Sequence, residues 1–145
     1  TRIPSRLNCG WPKARTPMAR PVLIDSNVYI EVIRARLDPL TEIGRRYGLD
    51  DVFCCGVVKA EVLRGIKGSS QLEVMQRFFA VTQMVATSAC LWDEVWQLAW
   101  QLDRQGKVLS LQDLVIACCA RRVGAAVMTR DAHFQQVPEL EVLVP

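Results

Sequence analysis

Apolar side chains recur along the chain in two rhythms, short unbroken runs and longer stretches spaced three and four apart. Val22-Leu23-Ile24 is a continuous apolar run closed by Asp25, the pattern of a strand buried on both faces of a parallel sheet. A helix is predicted over 26–36. Asp38-Pro39 then supplies a cap and a first-turn proline for a second helix that ends near Tyr47-Gly48. Val52-Phe53-Cys54-Cys55 reads as the second strand. A helix over 57–67 is stopped by Gly68, and Ser70-x-x-Glu73 predicts a capping box for another running to Ala80. Residues 83–87 read as the third strand. Ser88 is placed to cap a long helix through Gln105, followed by Gly106, and Ser110-x-x-Asp113 to cap the next, which ends at Val123-Gly124. Residues 125–129 make the fourth strand, Asp131 to Phe134 a short turn, and 141–144 suit an edge strand. Strands alternating with single and paired helices predict an α/β three-layer domain, with a mostly parallel central sheet of four or five strands flanked by helices.

Composition narrows this picture. At 145 residues, half of them hydrophobic and 23% charged, the chain suits one domain and is unlike a disordered, coiled-coil or repeat sequence. The longest uncharged stretch, Phe78 to Trp92, is 15 residues and includes Thr, Gln and Ser, too short and too polar to span a bilayer. The formal charge of +3 suggests a nucleic-acid binder until its location is considered. Residues 1–17 hold three of the seven prolines, four basic residues and no acid, and read as an expression-derived or read-through leader ahead of a single domain over 18–145. Without Arg2, Arg6, Lys13 and Arg15, that domain carries 14 basic and 15 acidic side chains. Cys9 lies in the leader as well. The remaining five, Cys54, Cys55, Cys90, Cys118 and Cys119, lack C-x-x-C spacing and read as reduced, buried thiols of a cytoplasmic protein.

No glycine-rich phosphate loop follows the first strand, so P-loop and Rossmann chemistry lose their main support. Acids at strand ends carry the case instead, because open parallel sheets bind ligands outside their carboxyl ends. Asp25 ends the first strand and Asp131 follows the fourth. Glu61 projects from the first turn or so of the helix after the second strand, and Asp113 from the first turn of the helix before the fourth. Right-handed crossovers bring all four to one edge. Gathered carboxylates resist joint ionisation unless a cation joins them, and an all-oxygen set selects Mg²⁺ or Mn²⁺ over zinc. Each acid also has a plainer reading: Asp25 as a helix cap, Glu61 as an ion-pair partner of Arg64, Asp113 as part of the Ser110 capping box, Asp131 as a turn residue.

Four segments in order, Ile24-Asp25-Ser26-Asn27, Val57-Val58-x-x-Glu61-x-x-x-Gly65, Leu111-x-Asp113-x-x-Ile116-Ala117 and Met128-Thr129-Arg130-Asp131-x-x-Phe134, resemble the PIN-domain ribonucleases, particularly VapC-type toxins of toxin–antitoxin pairs. The resemblance implies a PIN-like nuclease domain: a Mg²⁺- or Mn²⁺-dependent endoribonuclease, a hydrolase in which Asp25, Glu61, Asp113 and Asp131 hold the metal and its water. It places Asn27 and Thr129 in supporting polar positions behind them. It further implies a homodimer silenced by a cognate VapB-like antitoxin. PIN domains also serve in RNA processing, so an RNA-processing or RNA-binding module without a toxin role is the alternative.

Other features weigh less. Trp92, Trp96 and Trp100 form a stripe at i, i+4, i+8 on the long helix; beside a second stripe of Leu91, Val95, Leu98 and Leu102, packing on a neighbouring helix or a dimer partner is favoured over stacking RNA bases. His133, the single histidine, reads as a surface or capping group with no catalytic role. Arg64 and Arg130 suit either a phosphate contact or a salt bridge to the acids. A receiver domain or a haloacid-dehalogenase-type phosphatase needs further acids where this chain has Ser26-Asn27.

Overall fold

The computed structural model describes residues 20–145; the leader and Cys9 fall outside them. Its elements run β1 (Val22–Ile24), α1 (Ser26–Arg34), α2 (Pro39–Gly44), a 3-10 turn (Leu49–Asp51), β2 (Val52–Cys55), α3 (Gly56–Arg64) and α4 (Ser69–Val81). They continue with β3 (Gln83–Val85), α5 (Ala89–Arg104), α6 (Leu111–Val123), β4 (Ala126–Met128), a second 3-10 turn (Ala132–Gln136) and β5 (Val142–Leu143). The five strands pair in the order β3-β2-β1-β4-β5, and every pairing is parallel. The expected mostly parallel sheet is thus wholly parallel, and residues 141–144 contribute the edge strand as a parallel neighbour of β4.

Parallel pairing explains the composition of the strands. Helices cover both faces of such a sheet, so Val22, Leu23 and Ile24 are all buried, as are Ala126, Val127 and Met128. The helix α6 lies against β1, β2 and β4, and buries every residue from Leu114 to Ala120. Its small side chains Ala117, Cys118, Cys119 and Ala120 permit that close approach. On α1 and α4, Tyr29, Phe78 and Phe79 meet edge-on with ring centroids 5.2–5.8 Å apart and tie the two helices together.

Helix starts largely follow their caps. Asp38 accepts the Leu40 N–H, Ser88 the Leu91 N–H and Ser110 the Asp113 N–H. At the far end of α6, Gly124 takes φ 67°, a left-handed turn that a residue with a Cβ adopts only under strain. Several boundaries differ from expectation. The first helix ends at Arg34 rather than residue 36, where Arg36 turns left-handed at φ 56°. The second stops at Gly44, short of Tyr47, and the third at Arg64, short of residue 67. The Ser70-x-x-Glu73 capping box does not form. Gly68 is the N-cap of α4, which puts Ser70 one residue inside the helix, and Glu73 pairs with Arg77 at 2.8 Å instead. The third and fourth strands are also shorter than 83–87 and 125–129.

The expectation of buried, reduced thiols holds for four of the five domain cysteines, while Cys90 is only half-buried; all five are free. Burial pushes the Cys54 thiol up to about 12 and the Cys118 thiol up to about 11, so both stay protonated at neutral pH. Among the described residues, no helix is long and apolar enough to cross a membrane.

The turn after β4 is pinned by Phe134, which is fully buried and sits three residues past Asp131. Phe134→Ala is expected to cost about 3–5 kcal/mol in denaturant unfolding, against less than about 1.5 kcal/mol for Phe134→Leu.

Candidate metal centre at the carboxyl edge of the sheet

With β1 between β2 and β4, the winding of the chain reverses at the centre of the sheet, and a crevice opens outside the carboxyl ends of β1 and β4. Asp25 is the first residue past β1 and Thr129 the first past β4. Both are buried, at 5% and 1% exposure. The Asp25 N–H still bonds the Met128 carbonyl at 2.9 Å, so the ladder carries the carboxylate to the rim before α1 begins.

The Asp25 side chain is gripped from three sides. Its Oδ1 accepts the Ser26 backbone N–H at 2.7 Å, capping α1. Its Oδ2 accepts the Thr129 hydroxyl at 2.8 Å and the Asn27 side-chain amide at 3.0 Å. Thr129 Oγ1 in turn accepts from that same Asn27 amide at 3.2 Å and from the Asp131 N–H at 2.9 Å, which fills the hydroxyl's one donor and two acceptor places. Asn27 Oδ1 accepts the Arg130 N–H at 3.4 Å. Asp25 is therefore a cap, and capping does not exclude ligation: a carboxylate has about four lone-pair sites, and beyond these three strong donors the fourth is met only by the Ser26 hydroxyl, at 3.4 Å.

The other acids arrive on separate elements. Asp113 is the third residue of α6, where its own N–H meets Ser110 Oγ at 3.1 Å. Asp131 caps the second 3-10 turn, its Oδ1 accepting the His133 N–H at 2.9 Å. Glu61 lies half-buried in the second turn of α3, not the first, because that helix starts at Gly56. The dipole of α6 thus favours charge on Asp113, whereas the dipole of α3 has faded by Glu61.

Charge links the acids in pairs, Glu61 to Asp25 and both Asp131 and Asp25 to Asp113, whereas among the described residues the ligand atoms gathered within 4.8 Å of one another are those of Asp113, Asp131 and His133, without Asp25 or Glu61. Burial raises the Asp25 carboxyl above its usual 3.8; the Thr129 and Ser26 hydrogen bonds oppose that rise, and the Glu61 charge adds to it. Burial likewise raises Asp113, opposed by Ser110 and reinforced by the charges of Asp131 and Asp25. Among the described residues, no Lys or Arg forms an ion pair with Asp25, Glu61, Asp113 or Asp131. Several carboxylates, one deeply buried, with no Lys or Arg and only the His133 imidazole beside Asp131, are donor chemistry that suits a divalent cation.

The remaining sequence candidates fare unevenly. Glu61 and Arg64 make no ion pair, and Arg64 is exposed at the end of α3. Arg130 pairs with Glu31 rather than with any of the acids, so its guanidinium is already engaged. Among the described residues, no neighbouring helix covers the tryptophans. Leu91, Val95, Leu98 and Leu102 are the buried stripe, while Trp92, Trp96 and Trp100 are 42%, 56% and 56% exposed. Arg104 stacks 4.9 Å from the Trp100 ring centre, and Trp96 donates to Asp93 at 3.3 Å.

His133 is the residue that sequence reasoning set aside. Its Nδ1 lies 3.0 Å from Asp131 Oδ1, and ligand atoms of Asp113, Asp131 and His133 all fall within 4.8 Å of one another. The Asp-x-His spacing was the available signal, but only the 3-10 turn brings the imidazole back over the carboxylate.

The PIN domain family model matches residues 22–140, a span that contains all four acids. The chain belongs to the PIN domain family. Among solved structures, this PIN domain is similar to a chain of DNA-bound VapBC from Salmonella typhimurium (TM-score 0.72, 18% identity, 86% of this chain and 98% of that one). It is similar also to a chain of VapBC2 from Rickettsia felis bound to a DNA fragment from its promoter (0.68, 20%, 85% and 97%) and to one of FitAcB from Neisseria gonorrhoeae (0.64, 19%, 84% and 96%). At these identities the likeness establishes the fold. No curated protein matches the sequence.

The raised Asp113 carboxyl predicts a signed pH effect on the metal-free PIN domain. A carboxyl whose folded value exceeds its unfolded value favours folding when protonated, so stability rises as pH falls through the raised value towards 3.8. In a chelator, Asp113→Asn is expected to have the higher melting temperature at neutral pH, and that advantage should vanish as pH falls through this window.

Proposed function

We propose that this PIN domain is a Mg²⁺- or Mn²⁺-dependent endoribonuclease and the toxin component of a type II toxin–antitoxin pair. The observation that carries the reading is the approach of Asp113 and Asp131, with donor atoms within 4.8 Å of one another, at an edge where Asp113 also feels the Asp25 charge and Asp25 that of Glu61, with no Lys or Arg among the described residues paired to any of the four. The toxin role is supported by the fold shared, over nearly the whole of each compared chain, with members of VapBC and FitAB complexes. By the same analogy the partners are RNA, a VapB-like antitoxin and a second copy of the chain, acting in the cytoplasm.

Asp25, Glu61, Asp113 and Asp131 would hold a divalent ion, which would supply charge neutralisation at a scissile phosphodiester and a more acidic bound water, for a hydrolysis that leaves a 3′-hydroxyl and a 5′-phosphate. The protein's own work is positioning. Thr129 and Asn27 fix the Asp25 carboxylate, and the Thr129 hydroxyl ties Asp131 to the same point through its N–H. The N-termini of α1 and α6 direct backbone N–H groups and positive dipole to this rim, favouring both carboxylates and an incoming phosphate. Because the domain over 18–145 is close to neutral, RNA is held by local contacts and the cation rather than by a bulk positive field. Arg64, exposed and without an ion-pair partner among the described residues, is free to make such a contact, and Arg130 serves only if it leaves Glu31.

Asp25→Asn and Asp113→Asn are each expected to lower RNA cleavage by at least about a hundredfold, and to abolish growth inhibition on expression, with an unchanged circular dichroism spectrum. Chelation should stop the wild-type reaction, and added Mg²⁺ or Mn²⁺ should restore it. Full cleavage by either variant, or cleavage that persists in chelator, contradicts the proposal.

A further inference from the structure

The cluster of Asp113, Asp131 and His133 differs in kind from the all-oxygen set read from the sequence, because one of its three groups offers nitrogen. The imidazole is placed by backbone rather than by chance contact. Asp131 caps the 3-10 turn through the His133 N–H, and Phe134 anchors the next residue in the core, so His133 Nδ1 is held 3.0 Å from Asp131 Oδ1. Two ligands at right angles around an ion with bonds of about 2.1 Å stand about 3 Å apart, and opposite ligands about 4.2 Å apart. The 3.0 Å separation and the 4.8 Å span of the whole cluster fit donors to a single ion with little movement. His133 is also exposed, so no packing has to be broken for the ring to turn.

We propose that His133 is a metal-selectivity residue: its Nδ1 joins Asp113 and Asp131 as a donor to the bound cation and makes this position prefer Mn²⁺ to Mg²⁺. This rests on the metal-dependent reading above and specifies it. Mg²⁺ favours oxygen ligands and retains its waters, whereas imidazole suits first-row transition ions and adds affinity for Mn²⁺ that Mg²⁺ does not share. Two carboxylates alone would discriminate little between the two ions. The nitrogen supplies the difference.

The chain has one histidine, which makes the test unambiguous. Mn²⁺ is titrated into the full chain, and the bound ion is examined by electron spin-echo spectroscopy for coupling to an imidazole ¹⁴N. Affinity for Mn²⁺ and for competing Mg²⁺ is measured in parallel on wild type, His133→Ala and Asp113→Asn. The expected result is a ¹⁴N coupling in wild type that His133→Ala removes, with Mn²⁺ affinity reduced about tenfold or more and Mg²⁺ affinity changed much less. Asp113→Asn should weaken both ions. Bound Mn²⁺ without nitrogen coupling, or equal losses for the two ions in His133→Ala, overturns the role of His133 while leaving the nuclease reading intact. Absence of binding by either ion overturns both.

Discussion

A carboxylate buried at the seam between β1 and β4 is the constraint around which the working edge of this PIN domain is organised. Removing Asp25 from water is costly unless its charge is met by donors, and the fold meets it with the Ser26 N–H, the Thr129 hydroxyl and the Asn27 amide. Those donors belong to the rim itself. Ser26 and Asn27 open α1, and Thr129 directly follows β4, so satisfying one side chain also fixes how the first helix leaves the sheet and how the two central strands end. The Thr129 hydroxyl extends the arrangement to Asp131 through its backbone N–H. A position that solves a desolvation problem thereby becomes the reference point for the other acids.

Hydrogen bonds only partly solve that problem. Burial still raises the Asp25 and Asp113 carboxyls, and each feels further acids across the crevice. Basic side chains that would settle the account elsewhere are engaged differently: Arg130 with Glu31, Arg122 with Glu94, Arg20 with Glu141. The protein thus tolerates an excess of negative charge where a sheet edge and helix N-termini converge. A divalent cation would relieve that excess, which is why we propose a metal site here and not merely a stack of caps.

Much of this was legible in the chain. The run Val22-Leu23-Ile24 and the caps Ser88, Ser110 and Gly124 act locally, so their outcome depends on little beyond their neighbours. The sheet edge to which the acids belong was legible for another reason: parallel topology decides which strand ends share an edge, and alternating strands and helices reveal the topology. What failed depended on small shifts of register or on tertiary neighbours. Gly68 displaced the expected cap of α4 by two positions, and Glu61 is the sixth residue of α3, in its second turn. The tryptophan stripe was visible as a pattern, but whether a helix covers it is settled by distant residues, and among the described residues none does. His133 escaped because a lone histidine has no period, and only the 3-10 turn curls it towards Asp131.

The most direct test of the account is the melting temperature of the full chain at neutral pH and constant ionic strength, measured against Mg²⁺ and then Mn²⁺ concentration. A cation that binds only the folded acids raises stability with the logarithm of its concentration once above its dissociation constant. The account predicts that rise in wild type and its loss in the Asp25→Asn, Asp113→Asn double variant. A wild-type melting temperature that responds to neither ion contradicts it.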